Sequence, residues 1–145
     1  MWNIGEEIIS VASELGIAIK ELSSEDSKVI IGNVKKLYAT GTKTTLWENI
    51  TDCCSINDSN AWQWINEFIG DKESILFFNE NDERKAFLIV NGTDLVTILS
   101  ETYGFEFYIT NKKTTYLLAF NHHDYLIACG DSEKWLKSKV DNKSI

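Results

Sequence analysis

The spacing of apolar residues changes near Gly70, and this change constrains the fold more than any other sequence feature. Before Gly70, apolar residues recur every three to four positions, as on one face of an α-helix. After it come two nearly continuous apolar runs, Ile75–Phe78 and Ala86–Val90, which are typical of β-strands. Helices followed by strands indicate an α+β fold rather than an alternating α/β fold.

Four helices are predicted in the first half of the chain. Their limits are Ile4–Leu15, Glu25–Tyr38, Leu46–Cys54 and Asn60–Ile69, and Ile17–Ile19 is predicted to be a short extended piece. Asn3 is expected to cap the first helix and Ser23 or Ser24 the second, because short polar side chains accept hydrogen bonds from free backbone N–H groups there. Gly16 and Gly70 are expected to end the first and fourth helices.

Three more strands and two more helices are predicted in the second half. They are a crossover helix Asp94–Tyr103, strands Phe105–Ile109, Thr115–Phe120 and Tyr125–Ala128, and a final helix from Asp131 or Ser132 to Val140. The expected architecture is a helical N-terminal half packed on a mostly antiparallel sheet of about five strands. Residues 1–140 are expected to form a single domain, because halves of about 70 residues would have marginal cores. Residues 141–145 are expected to be a frayed tail.

The formal net charge is −8, and it is concentrated in one stretch. Between Glu48 and Glu101 there are eleven acidic residues, against only Lys72, Arg84 and Lys85. Such a stretch disfavours nucleic acid and anionic membranes as partners and favours a basic partner. A solvated acidic face that keeps the chain soluble is the simpler interpretation.

Nothing in the sequence indicates export or a disulfide framework. The first residues lack the basic and apolar regions of a signal peptide, and no apolar run approaches the roughly 20 residues that span a membrane. Three cysteines are few and odd in number. We therefore expect a cytoplasmic protein in which Cys53, Cys54 and Cys129 are buried, unreactive thiols.

The cluster Asn121-His122-His123-Asp124 is the densest group of functional side chains. Adjacent histidines on a strand point to opposite faces, which disfavours a shared metal ion. Turn and capping hydrogen bonds are the expected role, although an acid–base or metal role for His122, His123 and Asp124 is an alternative. No glycine-rich nucleotide motif and no nucleophile motif is present, so neither catalysis nor a cofactor is expected.

Trp64 is the most informative surface residue of the predicted fourth helix. It falls at the edge of the apolar stripe, on the side of Glu67. A large aromatic side chain beside acids is typical of an interface hot spot, but it is also what an extension of the core would look like.

Two segments together resemble a family of small, uncharacterised bacterial proteins. They are Glu101-Thr102-Tyr103-Gly104-Phe105-Glu106-Phe107-Tyr108-Ile109-Thr110-Asn111 and Leu117–Ala128, the latter followed by Gly130 and Trp135-Leu136. Leu46-Trp47-Glu48 and Trp62-Gln63-Trp64-Ile65 fit the same pattern, so the resemblance covers Leu46 to Leu136.

Small acidic proteins of this kind resemble immunity proteins of contact-dependent growth inhibition and other polymorphic toxin systems. The resemblance implies a protein that binds the basic C-terminal domain of a cognate toxin, of nuclease type, and blocks its active site. The acids near Trp64 and on the following hairpin tip are then candidate toxin contacts: Glu67, Asp71, Glu73, Glu80, Asp82 and Glu83. The alternatives are a small hydrolase or metal-dependent enzyme centred on the histidines, and a non-enzymatic regulatory adaptor.

Overall fold

The computed structural model describes residues 3–102 and 104–143, with side chains described to residue 141. Within these residues lie five α-helices and seven β-strands. In chain order they are α1 (Ile4–Leu15), β1 (Ile19–Glu21), α2 (Ser24–Tyr38), β2 (Cys54–Asn57), α3 (Ile65–Ile69), β3 (Ser74–Phe77), β4 (Phe87–Ile89), α4 (Asp94–Ser100), β5 (Phe107–Thr110), β6 (Tyr116–Phe120), β7 (Tyr125–Gly130) and α5 (Ser132–Lys143). Two short 3-10 helices, Leu46–Asn49 and Ala61–Trp64, precede β2 and α3.

The seven strands form one sheet in the order β1-β4-β3-β5-β6-β7-β2, and every neighbouring pair is antiparallel. The α+β class is confirmed. The sheet has seven strands instead of about five because both edge strands come from the half that was predicted to be helical. The sheet therefore joins the two halves of the chain through its own hydrogen bonds.

The predicted helix Leu46–Cys54 is wrong. Only Leu46–Asn49 is helical, and Cys54 begins the edge strand β2. Cys54 and Ile56 are partly buried while Ser55 and Asn57 are exposed, which is the alternation of a strand with one face on the core. Pairing of Cys54 with Ala128 and of Asn57 with Tyr125 supplies the backbone hydrogen bonds that a helix would otherwise have made.

Helices cover both faces of the sheet. One face packs against α1, α3, α4 and α5 through residues such as Ile8, Ile65, Leu95 and Leu136. The other packs against α2 and the 3-10 helix Leu46–Asn49. Successive strand residues point to opposite faces, and both faces are covered by helices. Every residue of β3 is therefore buried, which explains its continuous apolar run.

The helix limits agree with the sequence at most ends. Asn3 caps α1 and Ser23 caps α2, each by accepting a backbone N–H three residues ahead. Gly16 follows α1 in the left-handed conformation, with φ 68°. Helix α5 continues to Lys143, so the expected frayed tail is helical over 141–143, while Ser144 and Ile145 lie outside the described residues. Helix α4 ends at Ser100, before the predicted end at Tyr103, which also lies outside them.

Two of the three cysteines form a disulfide. Cys53, just before β2, is bonded to Cys129 of β7, and their Cα atoms are 5.1 Å apart. The expectation of three free thiols is therefore wrong for this pair, because the β2–β7 pairing brings two distant positions together. Cys54 is the free cysteine, and burial raises its pKa.

Within the described residues, no helix has the length and apolar character needed to cross a membrane.

Candidate functional site

The segment Asn121–Asp124 forms the turn between β6 and β7. The Asn121 side-chain oxygen accepts hydrogen bonds from the backbone N–H groups of His123, at 3.0 Å, and of Tyr125, at 3.1 Å. Asp124 has φ 64°, the left-handed conformation that aspartate tolerates in a tight turn. These bonds confirm the expected turn role of Asn121.

The two histidine rings lie side by side, with centroids 3.9 Å apart. The expectation that they point to opposite faces is wrong, because they lie in a turn and not in a strand. The Trp47 ring, from the 3-10 helix, meets both rings edge-on, with centroids 6.2 Å from His122 and 5.8 Å from His123. The fold thus gathers three aromatic rings at one end of the sheet.

Glu106 lies beneath His122, just before β5. One carboxylate oxygen accepts from the His122 backbone N–H, at 3.0 Å, and is 2.6 Å from its ring Nδ1. The other accepts from Asn79 Nδ2 at 2.8 Å. Burial by itself would raise the pKa of Glu106, but the hydrogen bonds from His122 and Asn79 and the influence of the Trp47 indole outweigh it and lower the pKa. Glu106 is therefore a partly buried carboxylate whose ionised form is favoured.

Tyr108 continues this network into the core. Its hydroxyl donates to Asn79 Oδ1 at 2.5 Å and accepts the Trp47 backbone N–H at 3.1 Å. Burial raises the pKa of Tyr108, and the nearby carboxylates of Glu106, Asp82 and Glu48 add to the effect. A connected chain of hydrogen bonds thus runs from the Trp47 backbone through Tyr108, Asn79 and Glu106 to His122.

The Trp47 indole N–H is buried and has no hydrogen-bond partner among the described residues. It nevertheless lies near enough to Glu106 to contribute to lowering the pKa of that carboxyl. This N–H therefore acts on the carboxylate as a nearby dipole and not as a hydrogen-bond donor.

This arrangement fixes the orientation of His122. A carboxylate at Nδ1 favours the tautomer with its proton on Nδ1 and leaves Nε2 as an acceptor, and the side chain is 65% exposed. Such an imidazole can accept a proton or bind a ligand. Within the described residues, no group of three or more histidine, cysteine or acidic side chains is placed to hold a metal ion. Three clefts on the described part of the chain are lined by residues other than His122 and His123.

The predicted toxin contacts do not form one patch. Trp64 is half-buried against the core, and Lys139 Nζ lies 6.0 Å from its ring centroid. The same ammonium contacts Glu67 at 2.6 Å. The fourth predicted helix thus has its aromatic side chain and its acid already engaged by α5.

The remaining predicted acids are divided between the two ends of β3. Asp71 and Glu73 precede this strand, and Glu73 pairs with Lys112 at 3.2 Å. Glu80, Asp82 and Glu83 follow it, at the end where Glu106 and the histidines lie. The strand alone separates the two groups by roughly 13 Å.

The three acids that follow β3 also differ in their partners. Glu80 pairs with Lys35 at 3.5 Å. Glu83 accepts the Gly5 backbone N–H at 2.7 Å and so helps to cap α1. Within the described residues, the Asp82 carboxylate makes one long contact, with Asn79 Nδ2 at 3.4 Å. Asp82 is therefore the most available of the three for an external cation.

Sequence reasoning missed Glu106, Asn79, Tyr108 and Trp47 as members of this site. They come from three separate segments that only the sheet order brings together. The available signal was Glu106 itself, an acid that interrupts an aromatic run immediately before a strand.

A protein-family model matches residues 2–140. The chain belongs to DUF6756, a family of unknown function. No curated protein and no solved structure shows significant similarity to it. The family assignment covers almost the entire chain, and no function comes with it.

Proposed function

We propose that this protein is an immunity protein that binds the basic domain of a cognate toxin, of nuclease type, and blocks its active site. The observation that carries the proposal is the exposed pair Glu48 and Asp82. Glu48 follows Trp47, whose backbone N–H donates to the Tyr108 hydroxyl. Asp82 contacts Asn79, which accepts from the same hydroxyl. Neither exposed acid forms an ion pair with the described part of the chain. The Glu48 carboxylate accepts a hydrogen bond from the Thr45 hydroxyl, which does not cancel its charge, so both negative charges are available to an external cation.

The mechanism follows from the chemistry of nucleases. A protein that cleaves a polyanion presents cations at its active site, and a rigid acidic surface competes for them. Glu48 lies in the 3-10 helix Leu46–Asn49 and Asp82 lies in the connection between β3 and β4. Hydrogen bonds of the Tyr108 network hold both segments, so little ordering is needed on binding. The body of the domain then excludes the substrate. The same charge makes nucleic acid itself an unfavourable partner.

The direct test is co-purification with the C-terminal domain of the toxin encoded next to this gene, followed by binding kinetics. We expect Glu48→Lys with Asp82→Lys to slow association, most clearly at low salt, because rim charges act mainly on encounter. Glu14→Lys with Glu101→Lys is the matched control, since it makes the same charge change at exposed sites on other parts of the fold. Equal association rates for the two doubly substituted proteins would exclude this surface.

Trp64 packs on the other face of the sheet from Trp47 and Tyr108, so it is proposed as a separate candidate contact for the toxin and is tested by itself. If it is a hot spot, Trp64→Ala weakens binding by roughly 2 kcal/mol or more, mainly through faster dissociation. Because Trp64 also packs on the core, the variant must first be shown to be folded. Lys139→Gln provides the control, since it removes the cation beside Trp64 and leaves the ring in place. Unchanged dissociation in a folded Trp64→Ala variant would remove Trp64 from the interface.

A second candidate function, acid–base chemistry at His122, is favoured by one specific observation. This is the 2.6 Å contact between His122 Nδ1 and Glu106, which leaves Nε2 facing outward. A carboxylate that orients an imidazole in this way occurs in hydrolases and beside metal ligands. Assignment of the His122 ring tautomer from its nitrogen chemical shifts, in wild type and in Glu106→Gln, tests it. The same mixture of tautomers in both proteins would show that Glu106 does not orient the proton on this ring.

A further inference from the structure

A cleft of about 480 Å³ lies between α2 and the segment 78–85. This volume is in the range of small-molecule sites. Leu22, Ile31 and Phe78 provide an apolar lining. The cleft shares no lining residue with the Glu106–His122 network, so it is a separate feature of the molecule.

The charge of this cleft is opposite to that of the chain. Its lining includes four cations, Lys28, Lys35, Arg84 and Lys85, and three acids. Arg84 and Lys85 are two of the only three basic residues between Glu48 and Glu101. The lining therefore has a net positive charge, although the chain as a whole has a net charge of −8.

The three acids are already engaged. Glu21 pairs with Lys85 at 3.8 Å, and Glu80 pairs with Lys35 at 3.5 Å. Glu83 accepts the backbone N–H at the start of α1. Lys28 and Arg84 form no ion pair with the residues that the structure describes. These two cations remain available to an anion in the cleft.

Gly32 keeps one wall of the cleft open. It lies inside α2, where glycine is less favourable for helix stability than alanine. A Cβ added at this position would meet nothing within 4 Å, so close packing does not require glycine. The space that a side chain would fill belongs to the cleft.

We propose that this cleft binds a small organic anion, with a singly charged head held by Lys28 and Arg84 and an apolar body against Leu22 and Ile31. We expect the ligand to have one negative charge, because the lining has one more cation than it has acids. A longer apolar body has room to continue toward an adjoining cleft of about 450 Å³, which shares Ile31, Lys35, Phe78 and Glu80 with the first. This proposal is independent of toxin binding, because it uses neither Glu48 nor Asp82.

The test uses 8-anilinonaphthalene-1-sulfonate as the probe, with the full chain, fluorescence titration and competition by octanoate. We expect saturable binding at one site and displacement by octanoate but not by octanol. Lys28→Gln with Arg84→Gln should weaken binding tenfold or more, whereas Lys134→Gln, an exposed charge on α5, should not. Gly32→Leu should abolish binding, and Gly32→Ala should melt at a higher temperature than wild type.

Chemical-shift changes at the Gly32 and Arg84 amides of the wild-type protein provide a readout that needs no variant. The proposal is overturned if probe binding is not saturable, or if these amides do not shift. It is also overturned if folded Gly32→Leu, or the folded Lys28/Arg84 double variant, binds within twofold of wild type.

Discussion

Tyr108→Phe removes one oxygen atom from the centre of the hydrogen-bond network. In the folded protein, this oxygen donates to Asn79 at 2.5 Å and accepts the Trp47 backbone N–H at 3.1 Å. The substitution leaves both groups without their partner while the ring stays packed against Phe77, 5.1 Å between centroids. The variant therefore measures loss of hydrogen bonds with little change in packing.

The expected cost follows from the surroundings of the two groups. A buried polar group left without a partner costs about 1–3 kcal/mol. Asn79 is only 7% exposed, so water does not easily replace the tyrosine hydroxyl there. The backbone N–H of Trp47 is only partly buried, so the cost of leaving it without a partner lies at the lower end of this range. We expect the free energy of unfolding to fall by about 2 kcal/mol, which corresponds to a melting temperature lower by roughly 4–8 °C.

Urea denaturation followed by circular dichroism measures this change, provided that the transition is two-state. Two other tyrosines provide matched controls. The buried Tyr116 hydroxyl makes one hydrogen bond, to the Thr110 carbonyl at 3.2 Å, so Tyr116→Phe should cost less, about 1 kcal/mol. Tyr125 is 42% exposed, and Tyr125→Phe should change stability little. A cost below about 0.5 kcal/mol for Tyr108→Phe, or a cost no larger than that of Tyr125→Phe, would refute the role given to this network.

Three further predictions concern other parts of the fold. The lowered pKa of Glu106 means that its ionised form stabilises the fold above its unfolded pKa, about 4.3, and that this stability is lost as pH falls through the folded value. The stability difference between wild type and Glu106→Gln should therefore shrink from pH 7 to pH 3, and a constant difference would contradict this. Reduction of the Cys53–Cys129 disulfide, which closes a separation of 76 residues, should lower the free energy of unfolding by about 2–4 kcal/mol in urea titrations, with Cys54→Ser leaving this effect intact. Gly92→Ala should destabilise the fold by about 2 kcal/mol or more, because its Cβ would lie 2.3 Å from Ile69 and 2.5 Å from the Lys72 carbonyl oxygen, whereas Gly104→Ala meets nothing within 4 Å and should be neutral.

The sequence predicted those elements whose signal is local. Helix α1 was predicted at its observed limits, because its apolar period, its Asn3 cap and Gly16 all lie within a few residues. The central strands were predicted because two-sided burial makes their apolar runs conspicuous. The edge strand β2 was missed because only Cys54 and Ile56 face inward, and two residues are too few to establish a period of two against helical neighbours.

The candidate site could be predicted only in part, because only some of its residues are close together in the sequence. Asn121, His122 and His123 are adjacent in the chain, so their density was visible in the sequence. Their ring geometry was not, because it depends on the length of the β6–β7 turn. Glu106 is 16 positions from His122, and the contact between them exists because β5 and β6 pair in the register Phe107 to Phe120. No local pattern encodes that register.

The charge of a stretch of sequence also differs from the charge of a surface. The stretch from Glu48 to Glu101 contains eleven acids and only three basic residues. In the folded protein, Lys35, Lys112 and Lys139 return from outside it and pair with Glu80, Glu73 and Glu67. Exposed pairs of this kind add little stability, but each cancels most of the field that a partner would meet. Glu48 and Asp82, near the end of β3, have no such basic partner among the described residues. The binding site for a basic protein should therefore be sought there first and at Trp64 second.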